Sequence, residues 1–240
     1  MGTSYRALGK YYDRLIEYPY DYMLELALSD QKKGKALDLF CGTGIFTVML
    51  AEKGFSVEGG DLSEEMLQEA MTNASKKGLR IVFRLENALE FVYSHRYDLI
   101  TAVSDGVNYL SNKDLPKFFS RVYDALNKGG KFVFDMSSAY KLREILGNEL
   151  YYEDYDDLTY FWKNSYRKKD DSVKLELTFF ERNPDGSYTR SDETQRQFAH
   201  ETQFVYDTLE SIGFSIVGLY DEKKKKPAKK SERIFFVLEK

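Results

Sequence analysis

Between residues 35 and 136, short apolar runs alternate with segments whose apolar residues recur three and four apart. The runs are Ala36 to Leu39, Phe55 to Asp61, Arg80 to Leu85, Tyr97 to Val103 and Lys131 to Met136. They are the right length for strands covered on both faces. The intervening segments carry helix signals. Ile45 to Lys53 stops at Gly54. Ser63 is an N-cap followed by Glu64 and Glu65, with Met66, Leu67, Ala70 and Met71 on one face and Gly78 at the end. A short helical piece is expected before Tyr97. Another helix runs from Asn112 to Leu126, with Pro116 in its first turn and Asn127-Lys-Gly-Gly130 behind it. Strands separated by helices in this way predict a parallel sheet with right-handed crossovers.

Two flanking regions differ. Residues 1–34 read as two helices separated at Pro19, with Tyr5, Leu8, Tyr12 and Leu15 on one stripe. That stripe either packs on the sheet edge or covers a ligand with tyrosine hydroxyls turned inward. From 139 to 199 the alternation stops. Tyr160 to Tyr166, Val173 to Arg182 and Ser187 to Phe198 read as strands, and Val173, Leu175, Leu177 and Phe179 alternate with polar residues. Asn183-Pro-Asp-Gly186 is the turn between the last two. This predicts an antiparallel insertion. The helical pattern returns over Glu201 to Ser211, ended by Gly213. Phe214 to Tyr220 and Arg233 to Leu238 then form an antiparallel pair around a solvated loop, Lys223 to Lys230. Two units follow: residues 1–138 with 200–240, and the insertion 139–199.

Candidate chemistry concentrates in Ala36-Leu-Asp-Leu-Phe-Cys-Gly-Thr-Gly-Ile-Phe-Thr47, a strand, a glycine turn and a helix start. Such a unit binds cofactors at the carboxyl end of its strand. Gly42 and Gly44 allow close approach of a ligand to the backbone. Asp61 closes the second strand 19 residues after Gly42, where a carboxylate can accept both hydroxyls of a ribose. A nucleoside cofactor is the expectation. Cys41 reads as a small residue of the turn rather than a nucleophile, and Phe40 is expected to pack beneath it.

Composition narrows the class. A net charge of −4 favours no general nucleic-acid affinity, and one cysteine with two histidines leaves no metal site expected. No apolar run has membrane-spanning length and no signal-peptide core is present, so a cytoplasmic protein is expected. His95 reads as solvent-exposed, and His200 as a surface histidine at a helix start.

Together these stretches resemble the class I S-adenosylmethionine-dependent methyltransferases. Leu37-Asp-Leu-Phe-Cys-Gly-Thr-Gly44 resembles their first motif, with Phe40 in place of a small residue. Gly59-Gly-Asp-Leu-Ser-Glu-Glu-Met-Leu67 resembles the second, Asn87-Ala88 the adenine-reading pair, Tyr97 to Leu110 the fourth motif, and Leu126 to Asp135 the approach to strand five. The insertion is similar to that of a small-molecule subgroup containing sugar amine N-methyltransferases and glycine N-methyltransferase. Gln195-Arg196-Gln197-Phe198 resembles a Gln-Arg-x-Tyr segment of bacterial members. The resemblance implies an α/β, Rossmann-like seven-stranded sheet (five parallel-type strands plus a C-terminal antiparallel hairpin) with an inserted antiparallel lid.

It also implies roles. S-adenosylmethionine is the donor and S-adenosylhomocysteine the product. Asp38 helps hold the donor's amino group through water, Cys41, Gly42 and Gly44 pass its methionine part, and Asp61 takes the ribose. Leu62 packs on the adenine, Met66 is a further donor contact, Asn87 and Ala88 read the adenine edge, and Ser104, Asp105 and Tyr12 lie near the methyl group. Asp105, Tyr12 and Arg196 are the catalytic candidates, Arg196 as an anion clamp, with Tyr11 and His200 as further candidate bases. The acceptor is expected to be a small molecule with a nitrogen or oxygen nucleophile, and a homodimer through the inserted sheet is open. Three rivals remain. An RNA methyltransferase would want a basic insertion, whereas residues 151–199 carry 11 acids against 8 Lys or Arg. A catalytically silent donor-binding protein would keep the same turn. A nicotinamide-dependent oxidoreductase would want a third glycine where Thr47 stands.

Overall fold

A computed structural model describes residues 6–29 and 33–240. Tyr5 of the N-terminal stripe lies outside them. Two helices open the chain, α1 (Arg6–Leu15) and α2 (Tyr20–Leu28), broken at Pro19. Then come β1 (Lys35–Leu39), α3 (Ile45–Glu52), β2 (Ser56–Asp61), α4 (Glu64–Lys76), β3 (Val82–Leu85), β4 (Tyr97–Ala102), α5 (Leu115–Ala125) and β5 (Leu126–Ser137). The insertion holds β6 (Leu150–Asp154), β7 (Leu158–Arg167), β8 (Ser172–Arg182) and β9 (Tyr188–Phe198). The chain ends with α6 (Thr202–Ile212), β10 (Ser215–Asp221) and β11 (Arg233–Glu239).

Among the described residues seven strands form one sheet in the order β10-β11-β5-β4-β1-β2-β3. β1 to β5 pair in parallel, and β11 runs antiparallel between β5 and β10. Chain order places β1 beside β4, so the sheet reverses direction of growth there and leaves a crevice at the carboxyl ends of both strands. Apolar layers cover both faces. One packs α5 and α6 on the sheet through Phe118, Phe119, Phe132, Phe134 and Phe236; the other packs α2 and α3 through Met23, Leu24, Phe46 and Leu50. Phe134 of β5 stacks on Phe236 of β11, its register partner, with ring centroids 4.6 Å apart.

The four inserted strands form a separate antiparallel sheet, β6-β7-β8-β9. Its apolar face closes a third cluster with Leu8 and Tyr11 of α1. Strand β6 was not among the expected elements. All five of its residues are exposed, so no alternation of apolar and polar positions marks it. The expected helical piece before Tyr97 is instead a turn followed by irregular chain. Among the described residues no helix is long and apolar enough to cross a membrane.

Helix α1 is a strap between the two sheets. Thr43 of the glycine turn donates to Asp13 at 2.5 Å. At the helix start, Glu193 of β9 accepts the Leu8 N–H at 3.1 Å, satisfying a first-turn donor. Lys10–Glu181 and Arg14–Asp157 add ion pairs to the insertion that solvent screens.

Candidate functional site

Three connected cavities lie at the carboxyl ends of β1, β2 and β4. The first, about 270 Å³, is walled by the glycine turn, Asp61, Met66 and the loop after β4, and roofed by Tyr12 and Tyr20. The second, about 100 Å³, shares Phe40, Asp61 and Leu62 with it and continues to Asn87 and Ala88. The third, about 230 Å³, shares Tyr12, Ser104 and Tyr109 with the first and runs under the inserted sheet to Trp162, Leu175 and Gln195.

The glycine turn has two different reasons for its glycines. Gly42 has φ +53°, and nothing lies within 4 Å of where a Cβ would project; it borders the first cavity. Gly44 has φ +73°, and a Cβ there would meet Ala70 of α4 at 2.8 Å. Gly44 therefore serves helix packing and lies outside the cavity wall, contrary to its expected place beside a ligand. Asp38 also departs from expectation. It is fully buried and accepts hydrogen bonds from Thr47 at 2.6 Å and Thr101 at 2.7 Å. Burial pushes its carboxyl up to about 6, against the two hydroxyl donors. It anchors the turn from below and does not line a cavity. Asp61 does, and accepts the backbone N–H of Gly42 and of Ser63, each at 2.9 Å. Burial raises its pKa, and these N–H donors oppose the rise.

Phe40, expected beneath the turn, instead lines the first and second cavities. Its φ is +55°, a left-handed conformation uncommon for a side chain of this size. One ring edge rests on Phe118, with centroids 5.6 Å apart, and a Cβ on Gly106 would come within 2.6 Å of the ring. Cys41 is buried against the same cavity, and burial pushes its thiol well up, so it stays protonated.

The loop after β4 is strained and held. Ser104 and Asp105 both take positive φ, +58° and +63°. Asp135, at the end of β5, accepts the Ser104 N–H at 2.8 Å and the Asp105 N–H at 3.4 Å. Tyr18 donates to the same carboxylate at 2.6 Å. Arg233 of β11 bridges Asp105 at 2.5 Å and Asp135. The backbone strain persists because this buried network over-determines it. The result presents Ser104 Oγ 2.8 Å from the Tyr12 hydroxyl, between the first and third cavities.

This arrangement corrects the expectation for Asp105 as a base. Burial alone would raise its pKa, but the charges of Arg233 and Lys141 hold it below the usual carboxylate range. Its side chain faces the third cavity with Arg233, not the first. Asp135 moves the other way, raised by complete burial and by the neighbouring Asp105. One guanidinium serves two carboxylates, and the more enclosed one takes the proton more readily. Tyr12 is pushed well above the phenol range by burial, so it is a hydrogen-bonding group at neutral pH.

The insertion contributes Arg196 and Phe198 to the rim of the first cavity. Arg196 is partly spent, donating to Ser172 at 2.8 Å with Asp170 at 3.7 Å. Both histidines differ from expectation. His200 is fully buried and its Nδ1 lies 2.6 Å from Asn112 Oδ1; burial lowers its pKa to about 4, so it is neutral. His95 lies against the Tyr97 ring, centroids 4.8 Å apart, and 3.6 Å from Glu58.

Comparison with known proteins decides what the crevice belongs to. A family model described as "Methyltransferase domain" matches residues 36–130. A relative from Geobacillus sp. (strain WCH70), assigned as a methyltransferase, is 34% identical over 246 residues, covering 99% of this chain and 100% of its own. The crystal structure of an S-adenosylmethionine-dependent methyltransferase from Clostridium acetobutylicum superposes with a TM-score of 0.86 at 31% identity, covering 97% of this chain and 95% of that one. The chain belongs to the S-adenosylmethionine-dependent methyltransferases. The fold alone extends further: the sugar N-methyltransferase KedS8 from Streptoalloteichus sp. shares it with a TM-score of 0.75 at 14% identity, covering 99% and 93%.

S-adenosylmethionine is thus the cofactor of this methyltransferase, and the residues present fit it. The first and second cavities join at Asp61, as a nucleoside joined to an amino-acid chain requires. The open side of Gly42 leaves room beside the backbone. Of the expected residues, the structure gathers Tyr12, Cys41, Gly42, Asp61, Leu62, Met66, Ser104 and Arg196 around the first cavity and Asn87 and Ala88 around the second. Sequence reasoning gives no role to Tyr20, Trp162 or Arg233, which line the cavities, or to Asp135, which holds the loop after β4. Tyr109, Asp135 and Gln195 lie inside stretches that resemble family motifs, but those motifs assign none of the three a part in the site.

Proposed function

We propose that this methyltransferase moves the methyl group of S-adenosylmethionine to a nitrogen or oxygen of a small molecule held in the third cavity. The observation that carries this is the shared wall. Tyr12, Ser104 and Tyr109 border both the donor-sized cleft and a second space of about 230 Å³ beneath α1 and the inserted sheet. A space of that size suits a small metabolite. The insertion's acidic balance points the same way.

Bound in the first two cavities, the donor supplies an activated methyl group: the acceptor's lone pair forms the new bond as the carbon–sulfur bond breaks, and sulfur leaves with the electron pair as S-adenosylhomocysteine. Asp61 accepts the ribose hydroxyls, Leu62, Met66 and Phe40 pack on the donor, and Asn87 and Ala88 meet the adenine. The Tyr12–Ser104 pair orients the acceptor's nucleophile. Arg196 holds negative charge at the rim. Asp105 is committed to Arg233 and Tyr12 holds its own proton, so neither removes the nucleophile's proton, which passes to solvent. Positioning and exclusion of water carry the acceleration. Residues 1–138 and 200–240 hold the donor, 139–199 the acceptor. The exposed Leu150, Tyr152, Phe161 and Tyr188 on the insertion offer an apolar patch for a second copy.

The test is methyl transfer from tritiated donor to a fractionated metabolite extract and, separately, to tRNA and rRNA. Label in small-molecule fractions is expected. Label in RNA alone, or tight donor binding with no turnover on either, overturns the proposal.

A further inference from the structure

The inner face of the inserted sheet changes character from one strand to the next. On β7 and β8 it is mostly apolar: Leu158, Tyr160, Val173, Leu175, Leu177 and Phe179 are all buried, and Asn164, which accepts from Trp162 Nε1 at 2.8 Å, is the polar exception. On β9 the corresponding inward positions are Glu193, Gln195 and Gln197, exposed by 6%, 2% and 6%. Register puts each beside an apolar partner, with Leu177 opposite Glu193, Leu175 opposite Gln195 and Val173 opposite Gln197. Folding alone would place Val or Leu there, and polar residues at core positions mark function. Glu193 is accounted for by the start of α1. Gln195 is not. Tyr109 donates to its Oε1 at 2.8 Å, which fixes the amide plane, and its buried Nε2 has no hydrogen-bond partner. Gln195 borders the third cavity, near the wall that the donor cleft shares. A buried donor without a partner is costly to keep, and this one borders a cavity that can hold its missing acceptor.

We propose that Gln195 selects the methyl acceptor, donating from Nε2 to a carbonyl or carboxylate oxygen of a small amine or alcohol whose body lies against Trp162 and Leu175. This rests on the acceptor occupying the third cavity. Tyr109 then links specificity to the reaction, since it touches Gln195 and borders both cavities.

Trp162 is the only tryptophan of the chain and lines the same cavity, so it reports occupancy without turnover. The full chain, saturated with S-adenosylhomocysteine, is excited at the indole band. It is titrated with small amines and alcohols, each paired with its analogue bearing a neighbouring carboxylate or amide. Saturable changes are expected only from the members bearing the carboxylate or amide. Gln195→Leu should weaken them roughly tenfold, the loss of one buried hydrogen bond, with S-adenosylhomocysteine affinity unchanged. Gln195→Glu, which keeps the acceptor for Tyr109, should shift preference to the members lacking the carboxylate or amide. Equal binding of both members of each pair, unchanged affinity in Gln195→Leu, or no response of Trp162 to any compound overturns the assignment. Should Gln195→Leu lose S-adenosylhomocysteine binding, Gln195→Glu decides alone. Methyl transfer to a metabolite with Gln195→Leu kinetically unchanged would leave the proposed function standing and sink only the role of Gln195.

Discussion

The main sheet and the inserted sheet are built by opposite rules. In the main sheet, β4 and β5 are covered by apolar layers on both faces, and its polar residues gather where strands end. In the inserted sheet one face is solvated, one edge strand is wholly exposed, and the inner face turns polar at β9. Parallel strands need two apolar faces because helices cross both sides; an antiparallel meander needs one. The consequence is a division of labour. In the proposed reading, the first sheet supplies rigidity and strand ends for the donor, and the second, with less to bury, has polar positions to spend on an acceptor.

The sharpest way to break the comparison is to truncate one aromatic in each sheet's layer. Phe119 is fully buried against Phe118, Phe132 and Phe134. Phe119→Ala should lower unfolding free energy by about 3–5 kcal/mol in denaturant titrations. Phe161 is 38% exposed on the outer face of the insertion, and Phe161→Ala should cost within about 1 kcal/mol. Similar losses in both would mean that the sheets share one cooperative core of equal density.

Acid titration separates the two regions next. Asp38 lies under the main sheet's glycine turn, its folded pKa raised from 3.8 to about 6. The native state therefore binds that proton more tightly than the unfolded chain, and this contribution is lost as pH rises from about 4 to about 6. His200, at the junction with the insertion, is lowered from 6.5 to about 4, so its contribution is lost as pH falls through the same window. Each is on the order of 2–3 kcal/mol and the two oppose. Asp38→Asn should make the melting temperature fall on acidification more steeply than in the unmodified chain. His200→Gln should make it rise. Parallel pH profiles for all three proteins would remove both assignments.

A smaller effect sharpens the donor side. Asp61→Asn keeps the size of the side chain but removes the charge facing two backbone N–H groups and the ribose position. Calorimetry should show S-adenosylhomocysteine binding weakened by about 10- to 100-fold at little loss of fold stability. An unchanged affinity would move the ribose away from Asp61.

Much of this was legible along the chain because the signals are local. A β-α repeat, a glycine turn and an acid at the end of the next strand are all properties of short stretches. Ser63 capping α4 through the Met66 N–H is a further local rule met. The errors have a common physical cause. Asp38 and Asp105 were read from motif position, but their chemistry depends on Thr101, Asp135 and Arg233, which come from other strands. His200 read as a surface residue because a helix start is usually exposed; the loop after β4 and Asn112 bury it. Strand β6 carried no alternation because neither of its faces is covered.

Sequence by itself determined the donor half of this methyltransferase: strand order signals, the turn at Gly42 and the carboxylate at Asp61 follow from backbone preferences and hydrophobic period. Tertiary structure decided the third cavity, where the acceptor is proposed to bind. The third cavity is assembled from α1, the loop after β4, Arg233 and the inner face of β9, residues separated by more than a hundred positions. Their meeting is set by packing, which no local pattern encodes.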